Sequence, residues 1–126
     1  MRKIKFRAWD KSDKIMYYNV QTGIVFDDES HYDFRRFIGH QERDDYHEWE
    51  LMQYTGLKDK LGNEIYEADV LETKEGCCGV VTYNEGQYVL STQYGSYNND
   101  LFYLVKNHGG IVEGNVHENP ELLEKP

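Results

Sequence analysis

From residue 65 onward the chain alternates short apolar segments with turns, and this rhythm restricts the fold more than any other feature. The segments "IYEADVLETK", "CGVVTY", "QYVLST", "DLFYLV" and "GIVEGNV" are separated by "EG", "NEG", "YGSYNN" and "NHGG". Runs rich in β-branched and aromatic residues, bounded by Gly and Asn, predict strands. Five of them joined by small turns predict a small antiparallel barrel, closed or half-open. The start of the chain follows the same pattern. "IKFRAWD" alternates Ile4, Phe6 and Ala8 with Lys3, Lys5 and Arg7, the period of a half-buried strand. "IMYYNV" follows the turn "DKSDK", so residues 3–20 predict a hairpin, and "IVF" a third short strand after "QTG". Phe34, Phe37 and Ile38 stand at helical spacing behind Asp33, a suitable cap. Gly39 ends that pattern, an acidic loop follows, and "EWELMQY" returns to strand. The expected fold class is mainly β with minor α. Its parts are an N-terminal β-hairpin and short-helix subdomain over 1–50, a small five-stranded antiparallel barrel over 51–117, and a C-terminal tail over 118–126. In the tail Pro120 permits one helical turn, with Leu122 and Leu123 to dock it.

The densest polar stretch is "LMQYTGLKDKLGNEIYEADVLE", residues 51–72. "LKDKLGNEIY" has the parts of a hairpin loop: Asp59 accepts from the amides ahead of it, and Gly62 takes a positive φ without a Cβ penalty. Thr55-Gly56 marks a bend before it, and "YEAD" a second bend that ends at Asp69. Gly56, Asp59, Gly62 and Asp69 are thus assigned as structural turn residues, since short polar side chains at turns satisfy backbone groups. The competing reading gathers Asp59, Glu64, Glu67 and Asp69 around a divalent cation. The calcium-loop spacing is missing and Lys58 and Lys60 intrude, so no metal and no cofactor is expected.

Charge narrows the partners. The chain has 14 basic and 23 acidic side chains, net −9. Residues 27–50 hold nine acids against three arginines, whereas residues 1–14 carry a net +4. An acidic protein repels phosphate backbones, so direct nucleic-acid binding is disfavoured, while the basic start can meet an acidic partner, including a second copy. No apolar run approaches the ~20 residues of a membrane span, and no apolar h-region follows the basic start, so the expected compartment is the cytosol. Cys77 and Cys78 are the only cysteines. As strand neighbours they point to opposite faces, so no disulfide is expected.

Other constellations have bland readings beside sharp ones. His40, Asp44, His47 and Glu48 share a face if helical and could hold zinc; a solvated acidic loop is preferred. Cys77, Cys78, His108 and His117 form a nominal ligand set with the wrong spacing for a zinc finger or ribbon. Trp9, Tyr17, Tyr18, Tyr54, Tyr66 and Tyr88 could line a groove for a peptide, or serve as core and subunit interface. Phosphate-loop, dinucleotide, nucleophile-elbow and metalloprotease motifs are missing.

"IKFRAWD", "MYY", "LMQYTGLKDKLGNEIYEADV", "GVV" and "GNVHENPELL" together resemble the YopX family of phage and prophage proteins. The likeness spans nearly the whole chain, residues 21–48 excepted. It implies an N-terminal subdomain followed by a barrel of the Src-homology type, with segment exchange or homo-oligomer formation, and it supplies no biochemical activity. In that pattern a Gly usually stands where this chain has Ala68, which suggests either a different bend or a backbone that is not left-handed there. The expected function is a phage- or prophage-encoded accessory protein, an oligomeric, non-catalytic module that binds itself and an unidentified host or phage protein. The alternatives are an acidic nucleic-acid mimic acting through Asp44, Asp45 and Glu48, and a metal-dependent hydrolase. Tyr54, Asp59, Glu64 and Trp9 are the candidate binding residues.

Overall fold

The N-terminal hairpin forms as expected: β1 (Phe6–Asp10) runs antiparallel to β2 (Ile15–Tyr18), from Arg7 opposite Tyr18 to Asp10 opposite Ile15. The structure is a computed structural model describing residues 3–38, 49–92, 95–96 and 100–124. The Asp10 carboxylate closes the turn by accepting from the backbone N–H of Ser12 at 2.9 Å and of Asp13 at 3.1 Å. Short strands β3 (Ile24–Val25) and β4 (His31–Tyr32) pair with each other. The expected "IVF" strand is therefore present in part, but its partner, β4, falls in a segment whose sequence shows no strand pattern. Asp33 caps a single 3-10 turn, Phe34–Phe37, accepting from Arg35 N–H at 3.1 Å.

Strand β5 (Trp49–Lys58) belongs to two compact units, Met1–Gln53 and Tyr54–Pro126. In the first unit its leading half pairs antiparallel with β1, Trp49 opposite Asp10 and Gln53 opposite Phe6. That unit has a small core of Ala8, Val20 and Phe37, covered by half-buried rings that include Tyr17, Tyr32, Phe34 and Trp49. Large rings suit a small unit because each removes much apolar area from water with few rotatable bonds.

In the second unit the rest of β5 pairs with β6 (Glu64–Tyr66). Beyond it lie β7 (Asp69–Glu72), β8 (Cys78–Asn84), β9 (Gln87–Thr92), β10 (Gly95–Ser96), α1 (Leu101–His108) and β11 (Ile111–Asn115). A five-stranded antiparallel sheet, in the order β10-β9-β8-β7-β11, curls strongly into a half-barrel. Ile65, Leu71, Val81, Leu90, Leu101 and Leu104 form its core, all essentially inaccessible to water. The tail ends in one 3-10 turn from Pro120 to Glu124, where Leu122 is half-buried and Leu123 exposed.

One expected strand is corrected. "DLFYLV" forms most of helix α1, and the fifth strand of the sheet is the two-residue β10. Asp100 caps α1 by accepting from Tyr103 N–H at 2.9 Å, and Gly109 closes it at φ +65°. Leu101, Leu104 and Val105 then reach the core at helical spacing. "IYEADVLETK" is divided into β6 and β7 by the bend at Glu67–Ala68, where the second bend was expected. Ala68 does adopt the left-handed region, at φ +72°, contrary to both readings offered by the sequence. It is held there by two backbone bonds, its N–H donating to Val81 O at 2.9 Å and its carbonyl accepting from Val116 N–H at 3.0 Å.

Two substitutions test this packing. Left-handed backbone costs an L-residue roughly 1–2 kcal/mol, of which glycine's greater freedom in the unfolded chain cancels part. Ala68→Gly is therefore expected to stabilise the protein by about 1 kcal/mol, read as a higher urea midpoint at unchanged slope. At Gly79 a Cβ would stand 2.6 Å from Leu90 Cγ and 3.0 Å from Ser91 O. Gly79→Ala should cost about 1–3 kcal/mol through overpacking, read as a lower urea midpoint.

Candidate functional site

The polar residues of segment 51–72 serve separate turns. Gly56, at φ +88°, makes the bulge that shifts the β5–β6 register between Tyr54 and Lys58. The buried Thr55 hydroxyl serves this bulge twice, donating to Ile65 O at 2.7 Å and accepting from Leu57 N–H at 3.2 Å. Gly62, at φ +87°, completes the loop that Asp59 closes.

Asp59 is buried and its carboxylate accepts four hydrogen bonds. One oxygen takes the N–H of Leu61 and of Asn63, each at 2.9 Å. The other takes Asn63 Nδ2 at 3.1 Å and the N–H of Val112, 53 residues away, at 3.0 Å. Burial pushes this carboxyl up, but the bonds from Val112, Asn63 and Leu61 outweigh it, so its pKa lies below the ordinary carboxylate value. Asp69, also buried, accepts from Tyr66 N–H at 2.8 Å and holds the second bend.

Of the four candidate binding residues, Trp9, Tyr54 and Asp59 are buried and Glu64 is half-buried. Tyr54 packs at a 41° tilt against buried Tyr66, with ring centroids 5.5 Å apart. The aromatic set proposed for a groove divides between the units: Trp9, Tyr17 and Tyr18 in the first, Tyr54, Tyr66 and Tyr88 in the second. Cys77 is exposed and Cys78 half-buried, while His108 Nδ1 lies 3.0 Å from Glu75 Oε1. Among the described residues no three His, Cys, Asp or Glu side chains are placed to share a metal ion. His40, Asp44, Asp45, His47 and Glu48 lie outside the described residues.

A second constellation had no signal in segment 51–72. In the first unit Tyr17, Phe26, Tyr32 and Trp49 form a chain of edge-to-face rings. Centroids are 5.4 Å apart for Tyr17–Phe26, 4.9 Å for Phe26–Tyr32, 6.4 Å for Tyr32–Trp49 and 5.9 Å for Tyr17–Trp49, which closes the circuit. All four residues are half-buried. The Arg36 guanidinium lies 4.3 Å over the Tyr32 ring. Burial, then repulsion from Asp10, Asp13 and Asp27, raises the Tyr17 hydroxyl above its usual pKa. The signal available in the sequence was the aromatic content of residues 17–49, of which Tyr32 and Trp49 fall in the acidic segment 27–50.

The family model described as "YopX protein" matches residues 5–124. Among solved structures, the crystal structure titled for protein EF1440 from Enterococcus faecalis is similar at a TM-score of 0.68 and 28% identity, over 98% of this chain and 99% of that one. No curated protein matches the chain.

Removing the Asp59 carboxylate leaves the amides of Leu61, Asn63 and Val112 without their acceptor. Asp59→Ala is expected to cost about 2–4 kcal/mol in urea unfolding at neutral pH. The folded carboxyl is the stronger acid, so its contribution is complete above the unfolded value of about 3.9 and fades as pH falls through the lower folded one. The gap between wild type and Asp59→Asn should therefore narrow below about pH 4.

Proposed function

Since the chain belongs to the YopX family, we propose that it is a phage- or prophage-encoded accessory protein of the host cytosol, working as a non-catalytic, self-associating protein-binding module. The observation carrying this reading is the use made of the central polar side chains: Thr55, Asp59 and Asp69 bond their own backbone. A carboxylate that accepts four hydrogen bonds is poorly placed to take a proton from a substrate or to ligate an ion. Surfaces, rather than a cleft of ionised groups, are then the means of recognition.

Exposed apolar side chains support that view. Ile15 and Tyr18 stand out from β2, a strand at the end of its sheet. A sheet edge invites pairing with another strand. Phe102 and Tyr103 are exposed on α1, with Lys106 Nζ 5.5 Å over the Phe102 ring. Among the described residues no helix is long and apolar enough to cross a membrane.

Sedimentation equilibrium on the purified full chain tests the self-association. A mass that is a whole multiple of the 14.9 kDa protomer at micromolar concentration is expected. A monomer throughout that range contradicts the reading.

A further inference from the structure

The β8–β9 hairpin carries the core face of its sheet out into water. Val81 and Leu90 stand opposite each other in the core of the second unit. Two residues nearer the hairpin turn Tyr83 stands opposite Tyr88, and alternate residues of a strand share a face. Tyr88 packs against the core, while Tyr83 is 59% exposed and meets Tyr88 edge-to-face at a centroid distance of 5.1 Å. Two other exposed rings already hold a cation of their own chain. Arg7 lies 5.9 Å from the centre of the Tyr18 ring, and Lys106 Nζ lies over Phe102. Among the described residues no cation lies over Tyr83. Glu85 is exposed in the turn beside the pair, and the Glu67–Ala68 bend is bonded to the same strand through Val81 O.

The charge around this corner selects its occupant. Residues 54–126 hold twelve acids against five lysines, net −7, whereas residues 1–53 are nearly neutral at −2. The bases of the first unit gather at its start, where Arg2, Lys3, Lys5 and Arg7 all precede the first acid, Asp10. Lys3 and Ile4 stand exposed ahead of β1, with Ile4 64% open to water. An exposed aliphatic side chain between lysines complements an exposed ring on an acidic unit, in apolar contact and in charge alike. We propose that the Tyr83–Tyr88 corner of one copy receives the Lys3-Ile4-Lys5 segment of a second copy, with Ile4 against the Tyr83 ring and the lysines toward Glu85. It rests on the self-association reading above and names the contact that carries it. The same field repels nucleic acid and acidic peptides from this corner.

Sedimentation equilibrium of the full chain tests the contact, with wild type beside the variants Tyr83→Ser and Lys3→Glu/Ile4→Ser. The three altered side chains are exposed, so both variants are expected to fold, with urea midpoints close to wild type. Each should raise the dissociation constant of the oligomer at least about tenfold, by loss of apolar contact and, in the second, by a repulsive carboxylate. An equimolar mixture of the two variants should associate more tightly than either alone, because each copy supplies the half that the other lacks. Folded variants that assemble like wild type would overturn the contact and leave the self-association reading intact. A mixture no tighter than its components would do the same. A wild type that stays monomeric would overturn both.

Discussion

The Asp59 carboxylate organises the second unit. It stands between a local loop and a distant strand, and its two oxygens collect amides from both. A buried charge is tolerable only when its hydrogen-bonding capacity is filled, and four donors achieve that here. The bond to Val112 ties the start of β11 to the β5–β6 loop, while β11 itself pairs with β7 and Val112 packs against the core. Thr55 and Asp69 repeat the device on either side. The polarity of this segment is therefore architectural: each group removes an unsatisfied amide or carbonyl from the interior.

The two units bury their apolar surface differently. The second uses aliphatic side chains between a curled sheet and one helix, which gives a dry core of Ile65, Leu71, Val81, Leu90, Leu101 and Leu104. The first gathers Ala8, Val20 and Phe37 at its centre and covers them with half-buried rings. These rings stay half-buried, because large aromatic side chains are hard to hide completely in so small a unit.

Much of the fold was legible in the sequence. The N-terminal hairpin, the return to strand at Trp49, the loop built on Asp59 and Gly62, and the strands β8, β9 and β11 all follow from period-two alternation and turn residues. The departures have specific causes. "DLFYLV" fits a strand as well as a helix, since six residues with apolar groups at several spacings do not separate the two periods. A cap at Asp100 and a core able to receive Leu101 and Leu104 decided for the helix. Ala68 shows the same limit for backbone: a left-handed alanine is disfavoured locally, and only its bonds to Val81 and Val116 hold it.

The candidate sites divide along the same line. That Asp59 and Asp69 would bond their own turns was readable in the sequence, because their partners lie two to four residues away. The bond to Val112, and the burial that makes it strong, required the chain to return from 53 residues away. The ring circuit likewise draws on β2, β4, β5 and the segment after β3, and sequence spacing carries no record of which rings meet edge to face. By itself the sequence determined the turns, the alternation and the charge, since each depends on near neighbours. Only the tertiary structure decided which distant amide fills a carboxylate and which aromatic rings meet, since both are set by packing between segments that are remote along the chain.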